Sequence, residues 1–174
     1  EGLQLWTTGD NIGIISFKTK MCTISTAVLE GLTAALEYAE SNTLTGLIIW
    51  QKDQPHFSAG ADLMEFAEQF LLEGAASLAP NLETFQQTLL SLRYANRPIV
   101  AATRGYVLGG GCELMMHCDK TVAALESYIG LVEVGVGIIP AAGGCKEMAL
   151  RASRAQNPAK ALQDYYKNIA MARA

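Results

Sequence analysis

A chain of 174 residues can bury a core of its own, so one domain is expected, with no need of disulfides or a structural metal to hold it. Half of its residues are apolar and 17% are charged, which excludes a disordered chain, while a net charge of -4 with 13 scattered Lys and Arg offers nucleic acid no basic face. No apolar run reaches the roughly 18 residues of a membrane span, and Cys22, Cys112, Cys118 and Cys145 share no zinc-type spacing with His56 or His117, so a cytoplasmic protein with reduced, buried thiols and no metal is expected.

From the N-terminus, "LQLWTTGDNIGIISFKT" reads as a hairpin about the turn "TGDN", since Asp and Gly favour turn geometry between β-forming flanks. "STAVLEGLTAALEYAES" follows as an amphipathic helix with Val28, Leu32, Ala35 and Leu36 on one face and Ser25 or Thr26 as N-cap. "TGLIIWQK" is a buried strand, and the loop "DQPHFSAGAD" leads into two helices, "LMEFAEQFLLEG" and "NLETFQQTLLSLRYA". The apolar residues of the first are read as core in preference to a pocket wall; the second opens at Pro80 and Asn81, and Pro98 closes it. Next come a strand "PIVAATRG", a turn into a helix "GGGCELMMHCD", a strand "KTVAALES", a strand or extended loop "YIGLVEVGVG", and a helix "AAGGCKEMALRAS" after Pro140. Near-continuous apolar strands alternating with helices predict an α/β protein with mainly parallel pairing. The tail "QNPAKALQDYYKNIAMARA" has a stripe at Leu162, Tyr165 and Ile169 that fits either this core or a neighbour, and the lack of a start methionine and of a helix stop suggests a piece of a longer polypeptide.

The glycines at 109 to 111 let backbone approach a ligand with no Cβ between, and the helix they open offers unpaired N–H groups and the positive end of its dipole. "HFSAGADL" sits in a similar place after a strand, so two loops can aim two N–H groups at one oxygen, as on a carbonyl turning into an enolate. Glu113 and Glu133 stand in apolar stretches, where burial suits a carboxyl to moving protons. Plainer roles compete: Glu113 as a dipole partner, Glu133 on a solvent-facing strand, Asp62 as a cap for the helix at Leu63, and His56 and His117 as surface or satisfied side chains. In "GVGIIPAAGG" Pro140 takes the place of the last glycine of a dinucleotide fingerprint, so no such site is expected.

In combination, "HFSAGADL", "GYVLGGGCEL" and "VEVGVGIIPAAGG" resemble the crotonase superfamily, most closely its enoyl-CoA hydratases, over about residues 5 to 153. The resemblance implies a spiral of repeated ββα units, an oxyanion hole from the N–H groups of Ala61 and Gly110, and Glu113 and Glu133 sharing one water. It also implies acyl-CoA as substrate, with Ala59 against the adenine and Lys18 or Lys20 near the phosphates, and no redox cofactor. Family members form trimers or pairs of trimers, so a homotrimer or hexamer is implied for a complete chain. Departures are Ala141 where the family often has glycine, and a segment after "RAS" that stands where the C-terminal helices are missing. That segment resembles the hydratase portion of bifunctional proteins fused to a 3-hydroxyacyl-CoA dehydrogenase in fatty-acid β-oxidation, the one setting that brings in NAD.

The expectation is therefore a crotonase-like core at 1–153, a helical segment at 154–174, and hydration of 2-enoyl-CoA to 3-hydroxyacyl-CoA. An enoyl-CoA isomerase using one carboxylate and a non-catalytic acyl-CoA binding or assembly module are the alternatives.

Overall fold

The apolar runs become a five-stranded sheet in the computed structural model, which describes residues 1–174. Strands β1 (Leu3–Thr7) and β2 (Ile12–Phe17) form the expected antiparallel hairpin, and β3 (Gly46–Trp50), β4 (Ile99–Leu108) and β5 (Lys120–Gly130) add in parallel in the order β1-β2-β3-β4-β5. Helix α1 (Thr26–Ser41) is capped by Ser25, whose side chain accepts from Val28 N, and it buries Val28, Leu29, Leu32, Ala35 and Ala39. Together with α3 (Leu78–Arg93) it closes a core that includes Ile15, Leu32, Leu47, Ile49, Leu89 and Ile99, each almost fully buried.

Five expectations are corrected. Helix α2 (Leu63–Glu73), capped by Asp62 as anticipated, buries no residue, so "LMEFAEQFLL" is not core. Helix α3 begins at Leu78, with Pro80 inside its first turn where a missing N–H costs nothing. Strand β5 runs unbroken to Gly130 because a bulge at Thr103 to Gly105 lets β4 resume pairing as far as Leu108 and Gly130. Beyond that point no partner strand remains, and Glu133–Val136 coils into a 3-10 turn closed by left-handed Gly137 (φ 83°), so the alternation around Glu133 does not mark a strand. The thiols divide as well: Cys22 and Cys112 are buried, Cys118 and Cys145 only partly.

Helix α4 (Gly110–His117) follows β4 directly, and α5 (Gly144–Ser153) begins after a turn at Pro140 to Gly143. Helix α6 (Pro158–Ala170) packs on α5, and its Ile169 joins Cys112, Met116 and Leu131 in a second apolar cluster, so the tail covers this chain's own surface. No helix is long and apolar enough to cross a membrane.

The connection at residues 57–62 is held like a short strand. Ser58 N donates to Tyr106 O (2.9 Å), Leu108 N to Ser58 O (3.0 Å), Ile24 N to Gly60 O (2.8 Å) and Asp62 N to Ile24 O (3.0 Å). It lies so close to α4 that a Cβ on Gly111 would be 2.5 Å from the Ser58 Cβ. Gly111→Ala is accordingly expected to lose about 1–3 kcal/mol of stability, seen as a lower urea midpoint at unchanged slope.

Candidate active site

Two glycines bring the connection and the start of α4 together. Gly60 (φ 111°) has room only for hydrogen, since a Cβ there would lie 3.1 Å from Leu108 O and 3.5 Å from Gly110 N. A Cβ on Gly110 would lie 3.1 Å from Ala61 N and 3.0 Å from the Phe85 ring. The amides of Ala61 and Gly110 donate to no group of the chain, and Gly110 stands at the positive end of the α4 dipole. Side by side and unpaired, they suit an oxygen that gains negative charge.

Glu113, 3% exposed on the first turn of α4, accepts from Gly144 N at 2.7 Å. Burial pushes its carboxyl up to about 7; the Gly144 amide opposes the shift, Glu133 adds to it, and the Ala142 and Gly143 amides oppose it again. Glu133, 8% exposed, is raised by burial, and neither of its oxygens has a hydrogen-bond partner. It borders the glycine turn, for a Cβ on Gly109 would sit 3.4 Å from Glu133 Oε1. Burial thus raises both carboxyls, with main-chain amides opposing the shift at each. The neighbouring Cys112 thiol, driven up to about 12 by burial with Glu133 and Glu113 nearby, stays protonated.

Ala59, Ala61, Gly110, Glu113 and Glu133 together line one cavity of about 650 Å³. Its apolar wall is Leu63, Phe66 and Phe70 of α2, Leu82 and Phe85 of α3, and Ile138, Ile139 and Ala141 of the segment before α5. The Ala141 carbonyl is pinned by Gln86 Nε2 (2.7 Å). No basic side chain lines the cavity, and no three His, Cys, Asp or Glu side chains gather as a metal ion would need. Lys18 and Lys20 are exposed and lie outside the cavity lining; Lys20 opens the turn Lys20–Cys22, whose Met21 O accepts from Ala59 N (3.1 Å).

Sequence reasoning missed three participants. The i, i+3 pair Leu82 and Phe85 was visible as an apolar stripe, though nothing local told which surface it would meet. The α2 residues gave the same signal and were assigned to the core. The Gly144 amide, 31 positions from Glu113, left only its glycine pair as a trace.

Residues 7–161 match the profile of the enoyl-CoA hydratase/isomerase family. The chain belongs to that family. Among the relatives of this enoyl-CoA hydratase/isomerase chain is a probable 3-hydroxyacyl-CoA dehydrogenase of Bacillus subtilis, 32% identical over 173 residues, which are 99% of this chain and 22% of that protein. The 2,3-dehydroadipyl-CoA hydratase of Escherichia coli is 38% identical over 125 residues, 72% of this chain and 47% of the other. A crystal structure of an enoyl-CoA hydratase from Bacillus anthracis superposes with a TM-score of 0.80 at 26% identity, covering 95% of this chain and 62% of that one. The chain thus spans less than two thirds of each of these, and it takes the crotonase-type α/β fold that its motifs implied.

Proposed function

We propose that this chain carries the active site of a 2-enoyl-CoA hydratase. The observation that supports this reading is the convergence, in one apolar cavity, of two unpaired amides and two buried carboxyls. In this reading the thioester oxygen accepts from Ala61 N–H and Gly110 N–H, which stabilise the enolate formed when water adds to Cβ. Glu113, whose carboxyl accepts from Gly144 N, takes a proton from that water; Glu133, whose carboxyl burial raises, delivers a proton to Cα. The product is the 3-hydroxyacyl thioester, and the two carboxyls exchange protonation states through the departing product and new water. Ala59 would border the adenine, with Lys18 or Lys20 meeting the CoA phosphates. No cofactor is called for beyond the coenzyme A of the substrate.

The likeness to the Bacillus subtilis protein across 99% of this chain supports a setting beside a fused 3-hydroxyacyl-CoA dehydrogenase, where NAD would act. Assembly as a homotrimer or hexamer and a cytoplasmic location belong to the same reading.

The deciding experiment is a hydration assay on crotonyl-CoA with this chain and with a longer polypeptide that contains it; no turnover by either, with CoA thioester still bound, would leave a binding module. Two further outcomes are expected. kcat/KM should fall as pH drops below about 7, because Glu113 must be ionised to act as base and its carboxyl is held near that value. A tail ending in a carboxylate should be disfavoured, since the lining offers two acidic groups and no cation to receive it. Octenoyl-CoA should surpass 2,3-dehydroadipyl-CoA in kcat/KM on the order of a hundredfold, and equal values would refute the discrimination against a charged tail.

A further inference from the structure

Outside the cavity lining lies a buried polar cluster that the proposed chemistry does not use. His117, 1% exposed, ends α4 one turn beyond Glu113 and is not among the residues that line the cavity. Its Nδ1 lies 2.7 Å from the carbonyl oxygen of Glu113. A carbonyl can only accept, so Nδ1 carries the hydrogen and donates, which leaves Nε2 as the acceptor of the neutral ring. Lys146 Nζ stands 3.2 Å from Nε2 and donates to it. Lys146 also pairs with Glu147 Oε1 at 2.9 Å, and Glu147 Oε2 receives Arg93 Nη2 at 2.5 Å. Arg93 Nη2 reaches on to Met116 O at 2.7 Å. Three helices, α3, α4 and α5, are thereby tied through side chains of which His117 and Glu147 are almost wholly inside.

The ring of His117 also fills a specific gap. A Cβ on Gly143 would lie 2.8 Å from His117 Cε1 and 3.1 Å from Nε2, so the imidazole sits directly against the backbone that precedes α5. Gly143 has φ 131°, a conformation suited to glycine, and the next residue supplies the amide that meets Glu113 Oε1. Glu147 N donates to Gly143 O (2.9 Å), which makes the same turn part of the first coil of α5. One helix-end histidine therefore holds the Glu113 main chain through Nδ1 and, through Cε1 and Nε2, abuts the turn that holds the Glu113 side chain.

We infer that His117, with the Arg93–Glu147 tie behind it, is a positioning residue that keeps the Gly144 amide on the Glu113 carboxyl from outside the cavity. The inference rests on the hydratase reading for its kinetic consequence, though not for the placement itself. The groups that face Glu113 are Glu133 from the 3-10 turn, Cys112 on α4, Cys145 on α5 and the amides of residues 142–144; those that face His117 are Lys146 and Glu147 on α5 and Arg93 on α3. A donated hydrogen bond favours the carboxylate, so its loss moves the titration of Glu113 upward.

The test is the pH titration of the Glu113 side-chain carbon by NMR in the 174-residue chain, assigned by its absence in Glu113→Gln. His117→Leu, which fills the space near Cβ but has no atoms against Gly143 and no polar links, should raise the midpoint by about one unit or more. The acid limb of kcat/KM should move by the same amount, with KM for crotonyl-CoA little changed. His117→Gln, which keeps an acceptor for Lys146 and an amide near Gly143, should return the midpoint close to the parent value. A His117→Leu protein that melts earlier yet titrates like the parent would reduce His117 to a packing role and overturn the inference. If that variant does not fold, Glu147→Gln decides. Removing a negative charge would by itself lower the Glu113 midpoint, so a rise reports a loosened turn, and an unchanged or lower midpoint refutes the proposal. An upward shift in a chain with no hydratase activity would uphold the positioning role and dismiss the enzymatic reading.

Discussion

Glu113→Gln and Glu133→Gln should each slow the hydration of crotonyl-CoA by about 10²–10⁴-fold, the range that a positioned acid or base contributes. The two losses should not multiply, because in the proposed hydration both carboxyls serve one water and removing either breaks the proton path. KM should change little, as the proposal has the thioester oxygen held elsewhere, by main-chain amides that neither substitution touches. Steady-state kinetics on both single variants and the double variant checks this. A Glu113→Gln chain that lost hydration yet still shifted a double bond would point to an isomerase working through Glu133 alone. Full activity in both variants would remove acid-base work from the cavity.

Gly110→Ala should be nearly as damaging, by a different route. Gly110 takes up ordinary helical backbone at the start of α4, so alanine meets no conformational penalty there. The obstacle is space: the new methyl group would stand 3.1 Å from Ala61 N and 3.0 Å from the Phe85 ring. The Phe85 ring borders the cavity and can tilt, whereas Ala61 N is main chain, so the connection at residues 57–62 must give way and the two amides separate. Loss of one such donor lowers kcat about 10²–10³-fold, and a loss of that size is expected here. Circular dichroism should report a folded chain, which separates this failure from the stability loss expected of Gly111→Ala one position further on.

Much of this arrangement could be read before any coordinates, for reasons that lie in particular residues. Glycines at 60 and 109 to 111 announce backbone that must come close to something, and the apolar runs "GLIIW" and "PIVAA" announce parallel strands covered on both faces. Glu113 was legible because a helix start fixes where its first-turn side chains point. Glu133 was legible as a buried carboxyl and given the wrong backbone. Its alternating neighbours continue past Gly130, where β4 has already ended, and a local pattern carries no record of where its partner stops. The apolar face of α2 failed differently: periodicity identifies the face, whereas only the fold decides whether it meets the sheet or an opening. The cluster at His117 gave no signal at all, since its members at 93, 117, 146 and 147 come from three separate helices.

The burial of the Glu113 and Glu133 carboxyls bears on endurance under heating. A carboxyl whose folded pKa lies above its unfolded value steadies the folded chain in acid and loses that effect as pH rises through the folded pKa; Glu113 and Glu133 are both of this kind. The melting temperature should therefore drift downward between mildly acidic and mildly alkaline buffer, and exchanging both residues for glutamine should flatten the drift. A catalyst of this design is frailest in the very range where its base is ready, and its most heat-resistant descendant would be an inert one.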